Sequence, residues 1–439
     1  MVSSDNIAIV GAGVSGLVAA YILGKKHRVT LFEKSAKLGG HARTEVVTDR
    51  EHDLLIDTGF VVFNELNYPY LCRLFDTLNI KTQATNMSFS VRCEKSGLEY
   101  NGSNINTFFS QRNNLLKPWV WLILKDIIRF NNESIKKLNS GLDDSISVGE
   151  FFQNNHYSRQ FFEKYLVPLG ASIWSCHEKD FTNFPIRFVI QFLHNHGLLQ
   201  ITKRPIWRTI SGGSYEYVRE LQKKLGSQIR LNAHVNRVER KKKGVLVHWN
   251  DNYMEMFDEV IMATHADTSM HTVANLDQEE YETLEKFAYG DSEGCLHTDT
   301  KTLPDNRRAW ASWNYRLPTN SHKGVSICYN MNLLQNLDTA QTYCMSLNQN
   351  HMIDPKKVIK NIRFRHPIFR AGRDEAQEKH GLLIRRNGIS YCGSYWGYGF
   401  HEDALQSGLA VAEEVGGETR PWKLETASSR IFRSTNEKR

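Results

Sequence analysis

Short unbroken apolar runs alternate along this chain with longer stretches of helical spacing. "IAIV" (7–10) and "EVIMA" (259–263) have the pattern of strands buried on both faces of a parallel sheet. "RVTLFE" (28–33) reads as a further strand, reached through a helix that opens in the glycine-rich turn after Val10. Between 207 and 266 the pattern predicts a helix over about 214–225 and short strands over 229–231, 235–240, 245–249 and 253–257. Alternation in "VLVHW" suits a half-exposed meander. Four stretches, 118–138, 148–154, 158–169 and 184–194, carry helical apolar spacing, and "WASWNY" and "GVSICYNM" read as strands flooring a pocket. Residues 388–415 read as strand, Gly- and aromatic-rich turn, then a helix from about Glu402; from about Gly417 the polar tail is expected to lack structure. The sum is an α/β fold: a Rossmann-like parallel sheet with a β-meander, and a second α+β domain.

A length of 439 residues suits two domains. The net charge of +7 is too mild to argue for a nucleic-acid partner, and the basic run "RVERKKKG" (237–244) is most simply a solvated hairpin end. Seven scattered cysteines without a C-x-x-C pair fit a reducing compartment rather than a disulfide framework or zinc site. No secretory leader and no membrane-spanning run of roughly 18 apolar residues is visible, so a cytoplasmic location is expected. "WVWLILKDIIRF" (119–130), interrupted by Lys125 and Asp126, is either a buried helix or an amphipathic one that docks on the inner membrane face.

The first motif is specific because of its context. Gly11, Gly13 and Gly16 follow a buried strand at G-x-G-x-x-G spacing. In that motif the first glycine allows the tight turn, the second lets a pyrophosphate approach the backbone, and the third allows close helix packing. The following helix, with Val14 and Ser15 in its first turn, aims its free N–H groups at the phosphates. Glu33 closes the next strand, where a carboxylate accepts ribose hydroxyls. These residues predict a dinucleotide site.

Past Glu33 and Lys34 comes a second glycine pair, Gly39–Gly40, then His41, Arg43 and Thr44, and later Asp57-Thr-Gly59-Phe60. At the far end Gly393, Gly399, Phe400, His401, Ser407 and Gly408 punctuate the last strand–helix unit. Together these resemble the flavin-containing amine oxidase and phytoene desaturase superfamily. The resemblance implies FAD, with the glycine pair and a nearby basic residue extending the diphosphate cradle. It also brings Gly59–Phe60 to the isoalloxazine ring, Val235 to the adenine, and Ala263 back to the cofactor. His41 departs from the arginine usual after the pair, and Arg43 stands close enough in sequence to replace it. "DTGFVVFNELNYPYL", "WRTISGGSYEYV", "ATHAD" and "GYGFHEDALQSGLAVAE" are also similar to bacterial predicted FAD-binding amine-oxidase-like proteins, a group similar to the flavin-binding part of plant cyclopropane fatty-acid synthases. The resemblance divides the chain into an FAD domain (1–75, 207–266 and 385–417), a substrate domain (76–206 and 267–384) and a tail (418–439).

Enzymes of this layout transfer a hydride to the flavin. The expected reaction is dehydrogenation of a small hydrophobic substrate, fatty-acyl in type. The alternatives are amine oxidation releasing peroxide, and a non-catalytic flavin-binding partner of a lipid-modifying methyltransferase. No second dinucleotide motif follows a strand, and no His or Cys pair has metal-ligand spacing. Trp313, Tyr315, Tyr395, Trp396 and Tyr398 are candidate pocket walls, although a core position serves aromatics equally well. Among His194, His196, His265 and His401, the last is the strongest acid–base candidate because it falls beside the expected flavin; each is also a plausible structural hydrogen-bonding residue.

Overall fold

The computed structural model describes residues 5–422, apart from Glu51, Asp144, Ser175, 201–204, 226–227, 320–325, 370–371 and 417–418. Five parallel strands form its central sheet, in the order Ile389–Tyr391, Glu259–Met262, Asn6–Val10, Arg28–Phe32, Ile229–Arg230. The first, middle and last parts of the chain therefore share one sheet. Side-chain alternation along the central strand explains its unbroken apolar pattern. Ile7 and Ile9 pack on the helices Val14–Leu23 and His401–Gly416, while Ala8 and Val10 pack on the meander Val235–Lys241, Gly244–Trp249 and Tyr253–Phe257.

A seven-stranded sheet makes the second layer, in the order Val358–Ile368, Ala288–His297, Cys344–Leu347, Ile327–Asn330, Trp313–Leu317, Phe89–Cys93, Leu98–Asn101. Helices Pro118–Asn139, Val148–Asn154 and Ile186–Asn195 gather an aromatic-rich core beside it.

The helix expected over 158–169 is present and runs without a gap from Arg159 to Trp174, with a π-helical turn Phe162–Leu166 between Arg159–Phe161 and Val167–Trp174. Pro168 has no N–H to give the Lys164 carbonyl, and the Tyr100 hydroxyl donates to that oxygen instead at 2.6 Å. The helix Pro69–Leu78 places Leu74, Phe75 and Leu78 in the first core. The expectation of an unstructured tail needs correction at its start: Arg420 pairs with Glu413 at 2.6 Å, and buried Trp422 donates its indole N–H to Thr77 at 2.8 Å. A Trp with an apolar groove and a hydroxyl within reach outweighs the polar composition around it. The rest of the tail lies outside the described residues. Among those described, no helix is long and apolar enough to cross a membrane.

Candidate cofactor and substrate site

The glycine turn is fixed by close backbone contacts. Gly11 has φ +104° and donates its N–H to Phe32 O at 2.8 Å; a Cβ there would lie 2.7 Å from Ala263 O. A Cβ on Gly16 would lie 2.0 Å from Gly11 O. A Cβ on Gly13 would meet no atom within 4 Å, so open space begins there. The helix starting at Val14 has no side-chain cap, although Val14, Ser15 and Gly16 are all buried. A diphosphate is the kind of group that fits such a turn, because it would accept from the uncapped N–H groups and lie against the helix dipole. Both oxygens of Glu33 are oriented, one by Ala12 N–H at 3.0 Å and the other by Ser35 N–H at 2.9 Å.

The second glycine pair lies over this turn. Gly39 donates its N–H to Ala12 O at 2.8 Å, and a Cβ on Gly40 would lie 3.1 Å from Gly13 Cα. Phe60 N–H donates to His41 O at 2.8 Å, and a Cβ on Gly59 would sit 2.1 Å from that same oxygen. Lys34 and Arg43 are exposed, and protonation of His41 is disfavoured first by burial and then by the nearby Arg43 guanidinium. Val235 and Asp267 border an open cleft of about 430 Å³ together with His271 and Arg365.

A buried carboxylate, Asp57, joins these segments. Its Oδ1 accepts from Thr44 Oγ1 (2.6 Å), Ser214 N–H (2.8 Å) and Ser214 Oγ (2.9 Å), and its Oδ2 accepts from Gln335 Nε2 (3.1 Å). Burial pushes Asp57 up to about 7, and the Thr44 and Ser214 hydrogen bonds pull in the opposite direction.

The C-terminal segment closes the same region. Gly393 N–H donates to Ser407 Oγ at 2.9 Å, and a Cβ on Gly408 would meet Ser15 O at 2.3 Å. Gly399 has φ +89° and donates its N–H to Ser394 O at 3.1 Å. Glu402 is fully buried and accepts from the N–H groups of Tyr70 (3.1 Å) and Leu71 (3.0 Å), so it caps the helix Pro69–Leu78.

His401 lies stacked on Phe60, ring centroids 4.0 Å apart, with its Nε2 2.8 Å from the Tyr217 hydroxyl. Burial, helped by His41, lowers its pKa to about 3. The ring is thereby held neutral and hydrogen-bonded to Tyr217. His41 is also near His265 (6.5 Å between centroids) and His366 (5.8 Å), whose pKa values burial lowers to about 4 and about 3. Among the described residues no group of three or more His, Cys, Asp or Glu could hold a metal. His196 stacks on Phe192, and His194 lies on the same helix.

The candidate pocket aromatics separate. Tyr395 and Trp396 are completely buried beside Phe287 and His380, on the meander side of the central sheet, so they are core residues and not pocket walls. Packing there is dictated by the turn Ser394–Trp396, which directs both rings into the sheet. Tyr315 is buried and donates to Glu178 at 2.9 Å; Trp313 is half-buried edge-on to Tyr329. Tyr398 and Phe400 do face the helical layer, against Phe188 and Phe192.

Residues unnoticed in the sequence complete this wall. Arg373, only 3% exposed, places its guanidinium 3.8 Å from the Phe369 ring centre and 5.2 Å from that of Phe188. It donates to Gly397 O, as does Gln377 at 2.7 Å, which fixes the turn before Tyr398. "FRAGRDEAQ" gave no signal for this, because a buried arginine is invisible without its neighbours.

A nucleotide cradle on a parallel sheet, closed by both ends of the chain and facing an aromatic second layer, defines a flavoprotein of the amine-oxidase fold. A family model described as flavin containing amine oxidoreductase matches residues 14–331, and the chain belongs to this family of FAD-dependent oxidoreductases. Protoporphyrinogen oxidase 2 of Arabidopsis thaliana is 28% identical over 182 residues, 38% of this chain and 32% of the relative. The chain thus spans about a third of the length of that curated relative. Among solved structures, putrescine oxidase bound to putrescine shares 14% identity with a TM-score of 0.66, covering 95% of this chain and 100% of that one. A fatty acid isomerase from P. acnes shares 15% identity with a TM-score of 0.64, covering 94% and 99%. Both structural likenesses establish the fold.

Proposed function

We propose that this protein uses FAD to dehydrogenate a hydrophobic carboxylate of fatty-acyl type. Arg373 is the observation that carries the reading. It is a buried cation laid on an aromatic wall of Phe188, Phe369 and Tyr398. Burial lowers its pKa to about 9, which leaves it charged at neutral pH. A guanidinium there attracts a carboxylate and repels a protonated amine, while the rings accommodate an acyl chain.

Bound FAD supplies a two-electron acceptor for the hydride. The chain's own residues do the holding. Gly11, Gly13, Gly16 and Glu33 suit the nucleotide half, and Gly39, Gly40, Gly59 and Phe60 give it a close-packed backbone floor. The neutral rings of His41, His265, His366 and His401 surround that region without adding charge. His401 is assigned no proton transfer.

The test is anaerobic mixing of the purified protein with long-chain free fatty acids and, separately, with an amine panel, read by the visible flavin absorbance. Bleaching by the fatty acids is expected, and Arg373→Met should raise the concentration needed by about tenfold. Bleaching by amines with none by fatty acids overturns the proposal in favour of amine oxidation. Bound FAD reduced by neither favours the non-catalytic partner role.

A further inference from the structure

The outer face of the helix Pro118–Asn139 carries large apolar residues that the fold leaves uncovered. Val120, Ile123 and Phe130 point inward and are buried, whereas Trp121, Leu122 and Ile128 are 48%, 42% and 48% exposed. Their spacing puts all three on one stripe together with Lys125. The 3₁₀ turn Arg112–Leu116 leads directly into this helix and adds Leu115 at 44% and Leu116 at 85% exposed. Trp121 is not loose: its indole N–H donates to Leu115 O at 2.9 Å, which locks the turn and the helix into a single surface. An uncovered cluster of this kind marks an interaction site.

Charge decides what covers it. From Tyr100 to Glu133 the sequence contains Arg112, Lys117, Lys125 and Arg129 and two carboxylates, Asp126 and Glu133, both of which pair with Arg129. Asp126 faces inward, 5% exposed, where it accepts from Ser158 N–H and lies beside Arg129. From Leu115 to Ile128 the outward surface therefore presents Trp and Leu beside Arg112, Lys117 and Lys125 with no exposed acid between them, the first being Glu133 one turn further on in its pair with Arg129. A second copy of this chain fits poorly, because a twofold contact sets the same patch against itself and brings like charges together. Apolar rings flanked by lysine and arginine are the composition of segments that lie at the boundary between anionic headgroups and acyl chains.

We propose that the face formed by Arg112–Leu116 and the N-terminal half of the helix Pro118–Asn139 docks on an anionic lipid bilayer. Leu116, Trp121, Leu122 and Ile128 enter the acyl boundary, and Lys117 and Lys125 meet the headgroups. This goes beyond the proposed reaction and does not depend on it: the surface works whatever the substrate. It also lies on the helical layer that packs against Ile186–Asn195, the helix carrying Phe188 and Phe192, so docking brings the aromatic wall near the membrane side of the molecule.

The experiment is co-flotation of the full-length holoprotein with vesicles of phosphatidylcholine alone and of phosphatidylcholine mixed with phosphatidylglycerol. Binding to the mixed vesicles is expected, weakened by salt. Lys117→Glu and Lys125→Glu should each reduce it by about fivefold, and Leu116→Ser with Trp121→Ser should reduce it by at least about tenfold. Lys117, Lys125 and Leu116 lie outside the core, and Trp121 meets it only at the Phe109 ring, 4.8 Å away, so the visible spectrum of each variant should match the parent and report a folded protein. Absence of binding to the anionic vesicles, or variants that float like the parent, overturns the proposal. So does a parent that is dimeric by light scattering and becomes monomeric in the Leu116/Trp121 double variant, since the face then belongs to a second copy.

Discussion

Gly408 rests directly on the backbone of Ser15: a Cβ at Gly408 would come within 2.3 Å of the Ser15 carbonyl oxygen. The last helix is thereby pressed onto the first, just behind the uncapped turn at Gly13. Gly408→Ala must push the helices apart, because the opposing atom is backbone and has no rotamer to change. A loss of about 3 kcal/mol is expected, read as a lower denaturant midpoint. FAD should also be released more readily, since the same contact positions the helix that opens at Val14.

Glu33 is oriented by Ala12 and Ser35, so the carboxylate stands ready before any ribose arrives. Glu33→Arg removes the acceptor and should weaken FAD binding on the order of a hundredfold, the scale of a lost charged hydrogen bond with added misfit. Glu33→Gln keeps an acceptor oxygen and should fall between the two. Fluorescence titration of apoprotein with FAD measures all three, and a Glu33→Arg protein that retains FAD like the parent contradicts the assignment.

Asp57 ties together the segments that bear Thr44, Ser214 and Gln335. Asp57→Asn places an NH₂ group where Gln335 Nε2 now donates, leaving one buried amide unpaired. The expected cost is about 1–3 kcal/mol, measured by chemical denaturation; an unchanged midpoint contradicts the hub role.

Burial holds His265 and His380 at about 4 and His366 and His401 at about 3, below the ordinary 6.5. As pH falls below 6.5 the unfolded chain binds protons that the folded chain refuses, so stability declines toward acid. Each fully engaged histidine contributes about 1.4 kcal/mol per pH unit to that slope. Asp57 has the opposite sign: between 3.8 and about 7 its folded form holds a proton that the unfolded form has lost, so its contribution falls as pH rises. Four histidines outweigh one carboxyl. The denaturant midpoint should be lower at about pH 5 than at about pH 7, and a higher one contradicts the buried neutral cluster. His401→Gln should leave the shape of the pH–rate profile unchanged, as the ring titrates outside the working range.

Much of the cofactor half was legible because its constraints are local. G-x-G-x-x-G spacing and Glu33 encode a turn whose partners lie within one βα unit, and each glycine is now matched by a specific close contact or, at Gly13, by open space. The central strands could be read for the same reason, since residues alternating between two buried faces must all be apolar. What escaped depended on distant partners. Glu402 looked like an ordinary first-turn acid but caps a helix more than three hundred positions earlier. Tyr395 and Trp396 carried the same aromatic signal as Tyr398, and only the turn geometry sends two inward and one toward the helical layer. Arg373 had no sequence signal, because its meaning lies in the rings around it. The π-helical turn before Pro168 was not read from the sequence, nor was the Tyr100 hydroxyl that serves the Lys164 carbonyl.

The central claim is that the two ends of the chain, with the middle strand between them, close one FAD socket. The most direct measurement is the visible spectrum of the purified protein, followed by denaturation and chromatographic identification of the released chromophore. Yellow protein releasing FAD in stoichiometric amount is the predicted result. Colourless protein that takes up no FAD when it is supplied in excess contradicts the account.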